Sequence, residues 1–174
     1  MAIIKKDNGL RFLLISLLIV VLDQYTKYLV VEHIPAYTSG VAVTSFFSLV
    51  HVYNEGAAFS FLASMGGWQR YLFMGIAFAI SLALVIALLR TSKRKPWTCL
   101  GIALVLGGAV GNLLDRLFLG HVVDFLMFYI KGQDFFWSYP SFNVADIGVC
   151  CGAAILVIIG FFGKDEKKGK EHKA

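Results

Sequence analysis

Charge is scarce in this chain. Of its 174 residues 58% are hydrophobic, and Asp, Glu, Lys and Arg together make up 16%. Soluble domains average about 45–50% apolar and about 25% charged. Composition therefore excludes an ordinary soluble domain, and a mean hydropathy of +0.73 points to an integral membrane protein of one compact domain. Cysteine is rare too. Cys99, Cys150 and Cys151 all lie in apolar segments, with no CxxC spacing, and neighbouring residues on a helix point in different directions. That excludes a disulfide framework and a thiolate metal site, and leaves the three as small buried hydrophobes. His33, His51, His121 and His172 are scattered and form no ligand set, and GxSxG, HExxH and Ser-Lys constellations are missing. Nothing in the sequence calls for a metal or an organic cofactor, and no internal repeat is visible.

Lys and Arg are also missing from residues 32–67. Twelve of the sixteen fall in three places: Lys5, Lys6 and Arg11 before the first apolar run, Arg90, Lys93, Arg94 and Lys95 between the middle runs, and five lysines in the tail 164–174. The net charge of +5 is therefore not a nucleic-acid footprint. It is a positive-inside pattern that places both termini and the 90–96 loop in the cytoplasm, with binding to anionic lipid headgroups as a secondary use. The tail GKDEKKGKEHKA reads as polar and disordered.

Four apolar runs are long enough to span, at about 12–31, 71–89, 97–116 and 142–162. A span needs about 20 residues. The first run ends in DQYTKYLVVEH, without a small-residue cleavage site, and reads as a retained helix rather than a signal peptide. Trp68, Trp97 and Trp137 mark span edges, as an interfacial aromatic belt does. Two connections, 32–67 and 117–141, face outward. In the first, FFSLVHVYNEGAAFS predicts a strand or small hairpin turning at Asn54-Glu55-Gly56. In the second, DFLMFYIKGQDFFW predicts a short interfacial helix broken at Gly132. Pro140 then permits a fresh helix start, with Ser141 as its cap.

Against this scarcity two carboxylates stand out. Asp124 follows the third run and Asp146 lies about one turn inside the fourth, at matching depth. A carboxylate at a membrane helix centre costs about 2.5–3.5 kcal/mol on insertion scales, so such residues are functional candidates. Two carboxylates in contact share one proton, and the pair can activate water while protonating an amide carbonyl. Taken singly, either Asp could equally be an interfacial carboxylate or a helix cap; the matched depth favours a working pair. Around them, Asn112 and Arg116 share a helix face in GGAVGNLLDR, able to hold a substrate backbone, a phosphate or a carboxylate. Packing of Gly107 and Gly111 with a snorkelling Arg116 would explain the same residues. Asp23 and Lys27 form an i,i+4 pair that reads as a structural ion pair. Asn143 lies three residues before Asp146 and could orient the dyad or cap the helix, and Asn54 and Gly56 could offer a polar turn to an extended substrate or form a plain loop.

Six blocks in order resemble the lipoprotein signal peptidase (signal peptidase II) family: Asp23-Gln-Tyr-Thr-Lys27, Asn54-Glu-Gly-Ala-Ala-Phe59, Gly108-Ala-Val-Gly-Asn-Leu-Leu-Asp-Arg116, Val122-Val-Asp-Phe125, Trp137-Ser-Tyr-Pro140 and Phe142-Asn-Val-Ala-Asp146. The resemblance implies a bacterial inner-membrane aspartic endopeptidase of four transmembrane helices, with a small extracytoplasmic β-cradle and a short helix over the site. It implies Asp124 and Asp146 as the catalytic dyad, and Asp23, Lys27, Asn54, Gly56, Gly108, Asn112, Arg116, Asn143 and Ala145 as the surrounding site. It implies a diacylglyceryl-modified prolipoprotein as substrate, cut N-terminal to the lipobox cysteine, inhibition by globomycin-type peptides, a monomer in membrane lipid, and no nucleic acid. Two rival classes remain at this point. A proton-coupled carrier also uses membrane aspartates but carries inverted repeats and broken helices, which are missing here. A non-catalytic lipid-binding scaffold would use Arg116 and the basic loops.

Overall fold

The computed structural model describes residues 7–55 and 68–162. Gly56, the Gly66-Gly67 pair and the tail 164–174 lie outside the described residues. Four helices, α1 Leu13–His33, α2 Trp68–Arg90, α3 Pro96–Phe118 and α4 Val144–Phe162, are long and apolar enough to cross a membrane. A 3-10 turn at Leu10–Phe12 leads into α1. Four strands, β1 Val41–Ala42, β2 Phe47–Asn54, β3 Val122–Lys131 and β4 Phe136–Ser138, form an antiparallel sheet in the order β1-β2-β3-β4.

The helix α3 is the centre of the bundle. Half of its most apolar window is buried, against far less in α1, α2 and α4, which all pack on it. Small residues make this approach possible. A methyl group on Gly108 would collide with the Ala145 carbonyl oxygen, so only glycine lets α4 sit this close. On α1, the Ser16 hydroxyl donates to the Ala103 carbonyl at 2.7 Å. At the end of the bundle away from the sheet, Leu88, Cys99, Ile102 and Leu106 form a core cluster. There the segment before α1 is tied to the end of α2 by Gly9 N–H donating to Leu88 O, and to the α2–α3 loop by Lys93 N–H donating to Asp7 O. At the sheet end, Val30, Ile34 and Phe125 join α1 to β3.

Four expectations change. Residues 122–131 and 136–138 are strands, not an interfacial helix: the run VVDFLMFYIK finds β2 on one edge and β4 on the other, and strand pairing satisfies its backbone. The fourth helix begins at Val144 and is capped by Asn143 rather than Ser141, because the Asp146 N–H donates to Asn143 Oδ1 at 2.9 Å. Trp137 lies in β4, ahead of the span edge. Cys99 is fully buried, whereas Cys150 and Cys151 are exposed on α4.

Candidate active site

The site lies where the sheet meets α3 and α4. Strand β3 carries Asp124, paired in register with Val52 of β2. Its carboxylate is buried. One oxygen accepts from Asn54 Nδ2 at 3.0 Å and the other from Asn143 Nδ2 at 2.7 Å. Burial pushes the Asp124 carboxyl up to about 6, with the Asp146 charge pushing the same way; the Asn54 and Asn143 hydrogen bonds and the Lys27 charge oppose it.

Asp146 sits in the first turn of α4, where an acid suits the helix dipole. Its Oδ1 accepts from Asn112 Nδ2 at 2.8 Å and its Oδ2 from the Asn143 backbone N–H at 3.2 Å. With Asp146 N–H bound to Asn143 Oδ1, these residues form a reciprocal capping box. Asn143 is fully buried, and its amide also reaches Asn112 Oδ1 at 3.2 Å. One side chain thus touches both aspartates.

Behind the pair lies a buried ionic cluster. Lys27 Nζ donates to Asp23 Oδ2 and Asp115 Oδ2, both at 2.8 Å, and to Asn112 Oδ1 at 3.0 Å. Gln24 Nε2 donates to Asp115 Oδ1 at 2.8 Å. Asp23 Oδ1 accepts from the Ala145 N–H at 2.8 Å, an otherwise unsatisfied donor at the start of α4. Asp115 Oδ2 accepts from the Val123 N–H at 3.0 Å, beside Asp124. The Asp23–Lys27 ion pair is therefore present, and together with Asp115 it ties down both elements that carry the aspartates.

Arg116 donates to the Asn112 carbonyl at 3.2 Å and lies 5.7 Å from the Phe73 ring centre on α2. Its charge interacts with Asp146, Asp124 and Asp115. A cleft of about 720 Å³ is lined by Asp124, Asp146, Asn54, Asn112 and Arg116, and continues past Ile147 to Cys150 and Cys151 on α4. The expected site residues Asp23, Lys27, Asn54, Asn112, Arg116, Asn143 and Ala145 are thus brought together, with Gly108 at the helix contact and Gly56 outside the described residues. Asp115 and Gln24 are not singled out by sequence reading. The available signal is one more carboxylate in the third span, three residues after Asn112 and next to Arg116. Among the described residues, no group of three or more His, Cys, Asp or Glu is placed to hold a metal ion.

The family model described as "Signal peptidase (SPase) II" matches residues 15–162. The chain belongs to the signal peptidase II family. A "Lipoprotein signal peptidase" of Tolumonas auensis is 48% identical over 161 residues, covering 92% of this chain and 96% of that protein. One of the same name from Aeromonas hydrophila is 49% identical, covering 92% and 93%. A bacterial membrane enzyme solved by the in meso method at 2.3 Å resolution superposes with a TM-score of 0.77 at 29% identity, covering 90% of this chain and 91% of that one. A second, solved at 1.9 Å, gives 0.70 at 30% identity, covering 85% and 90%. Signal peptidase II membership bears out the resemblance read from the six sequence blocks, the four-helix membrane fold with its small sheet, and the assignment to a bacterial multi-pass membrane peptidase.

Proposed function

We propose that this chain removes signal peptides from diacylglyceryl-modified prolipoproteins, cutting N-terminal to the lipidated lipobox cysteine. The observation that carries the reading is the Asn143 side chain held between Asp124 and Asp146 at one cleft. Asp124 holds the shared proton, because burial favours its neutral form. Asp146 takes a proton from water as the water oxygen attacks the scissile carbonyl carbon, and Asp124 protonates the carbonyl oxygen. Collapse of the tetrahedral intermediate breaks the C–N bond: the proton on Asp146 goes to the leaving amine, and one hydroxyl of the intermediate returns its proton to Asp124 as the new carboxyl forms. Water is added across the amide, and no covalent enzyme intermediate forms.

Arg116 and Asn112 position the substrate, and Asp23, Lys27 and Asn143 hold the dyad. The charge pattern supports an extracytoplasmic site with both termini in the cytoplasm. The apolar part of the cleft, along Ile147, suits a substrate whose tails stay in lipid. The chain works as a monomer, and globomycin-type peptides occupy the same cleft.

The test is cleavage of a lipidated prolipoprotein by purified Asp124→Asn and Asp146→Asn variants. Each loses turnover by at least about 10³-fold, within the range general acid–base groups contribute, while binding substrate and keeping the fold. Near-normal turnover in either folded variant overturns the reading. Cleavage by the unaltered chain stopped by globomycin supports the shared cleft.

A further inference from the structure

Strand β2 does not alternate regularly. Val50 and His51 are consecutive and both buried, and the β2–β3 register shifts between Leu49 and Val52. Leu49 pairs with Leu126 and Val52 with Asp124, so two residues of β2, Val50 and His51, stand against Phe125 alone. This is a β-bulge. Its consequence is one of face. Residues directly opposite share a face, so Phe47 and Leu49 before the bulge, and Val52 and Asn54 after it, all lie on the Asp124 side. A ladder unbroken from Leu49 would place His51 opposite Asp124 and Tyr53 opposite Val122. Asn54 would then point to the far face and could not donate to Asp124.

The bulge is clasped at His51. The ring Nδ1 lies 2.7 Å from the Ile34 carbonyl oxygen, and a carbonyl only accepts, so Nδ1 carries the proton of this bond. The other ring nitrogen is buried and meets no hydrogen-bond partner among the described residues, which leaves the Ile34 bond as the polar tether of the ring. Ile34 is the C-cap of α1. The His51 carbonyl in turn accepts from the Tyr37 N–H at 2.9 Å. Tyr37 sits at φ 58°, a conformation that side chains other than glycine rarely adopt, so the clasp holds a strained residue. A methyl group on Gly40 (φ 69°) would collide with the Leu49 carbonyl oxygen, so glycine there lets the segment after α1 lie flush against β2. The His51 ring also packs edge-on against Tyr53, with centroids 4.9 Å apart.

We propose that His51 is a positioning residue: by tethering the β2 bulge to the end of α1, it delivers the Asn54 amide to Asp124. The proposal rests on Asp124 acting in catalysis, and Asp124→Asn tests that reading separately.

The experiment compares the pH dependence of kcat and KM for a lipidated lipobox peptide in His51→Leu, His51→Asn, Asn54→Ala and the His51→Leu/Asn54→Ala double variant. Leu keeps bulk and removes the donor; Asn places an N–H donor near the Nδ1 position. His51→Leu lowers kcat by about a hundredfold, the scale of an ångström-sized misplacement, with KM little changed. The limb of the profile that reports Asp124 moves to higher pH, in the direction of Asn54→Ala, because the amide favours the ionised carboxylate. The double variant is no worse than Asn54→Ala alone, and His51→Asn stays within about threefold of the unaltered chain. An unaltered profile in folded His51→Leu, or losses that multiply in the double variant, overturns the proposal. If His51→Leu does not fold, His51→Gln, whose donor lies one bond further out, takes its place. An unaltered profile or multiplying losses in that variant overturn the proposal equally.

Discussion

Asn143 Nδ2 donates to Asp124 Oδ1 at 2.7 Å, while Asn143 Oδ1 accepts from the Asp146 N–H at 2.9 Å. A single amide therefore orients a strand carboxylate and the helix turn that carries the other. Its two ends have different chemistry, a donor for Asp124 and an acceptor for the helix N-terminus, so neither Asp nor Leu can replace it.

Asn143→Ala removes both contacts. An N-cap of this kind contributes about 1 kcal/mol, so the variant stays folded with a modest loss of stability. Its turnover falls by about a hundredfold or more, as expected when reacting groups are displaced. Asn143→Asp keeps the cap but sets a third carboxylate against Asp124. Its turnover falls at neutral pH and partly recovers on acidification. Steady-state cleavage between pH 5 and 8 checks both; equal activity of the Ala variant and the unaltered chain would reject the bridging role.

The Lys27 cluster makes a separate prediction. Lys27 Nζ serves three acceptors, Asp23, Asp115 and Asn112, within a nearly fully buried site. Removing one partner from a buried pair costs about 3–5 kcal/mol, because the remaining charge is left uncompensated. Lys27→Met therefore lowers the unfolding midpoint in detergent and disturbs Asn112, the partner of Asp146. Adding Asp115→Asn to Lys27→Met recovers part of the stability by removing one stranded charge. If the single variant is as stable as the unaltered chain, the cluster contributes nothing to holding the site.

The closeness of α3 and α4 depends on Gly108. Gly108→Ala forces its methyl group against the Ala145 carbonyl, and overpacking of this kind costs about 1–3 kcal/mol. The helix that gives way is α4, whose first turn carries Asp146. Turnover therefore falls more than stability does. Gly160→Ala is the control, since a methyl group there meets nothing within 4 Å. Matching losses at the two positions would count against the close-approach argument.

The four spans are legible in the sequence because an uncharged run such as 71–89 has few alternatives, and Asp124 and Asp146 stand out because carboxylates are costly in such a chain. The 122–131 strand is not. VVDFLMFYIK is almost continuously apolar, so its period does not separate strand from helix, and the deciding fact is the distant partner β2. The spacing of Asn143 allows it either to orient the two aspartates or to cap the helix, and in the structure its donor bonds the Asp124 carboxylate while its acceptor caps α4. Asp115 reads locally only as one more carboxylate, because its partners Lys27 and Gln24 lie on α1, about ninety residues away in sequence. The bulge at His51 depends on tertiary tethering to Ile34, which no local pattern records.

Acidity gives the last prediction. Burial and the neighbouring Asp146 raise the Asp124 carboxyl from its ordinary 3.8 to about 6. An acid whose folded-state pKa lies above its unfolded value favours the folded state in its protonated form. Its contribution is fully present below about pH 3.8 and is lost as pH rises through about 6. The loss over that window is on the order of 3 kcal/mol. Asp124→Asn replaces the carboxyl with a neutral group of the same shape and has no such titration. Unfolding of the two proteins in mixed micelles between pH 4 and 7 reads the difference directly. The unaltered chain loses stability relative to Asp124→Asn as pH rises, most steeply between about 4 and 6. A difference that stays flat across that window would show that Asp124 ionises as an ordinary carboxylate, and would remove the physical basis for giving it the shared proton.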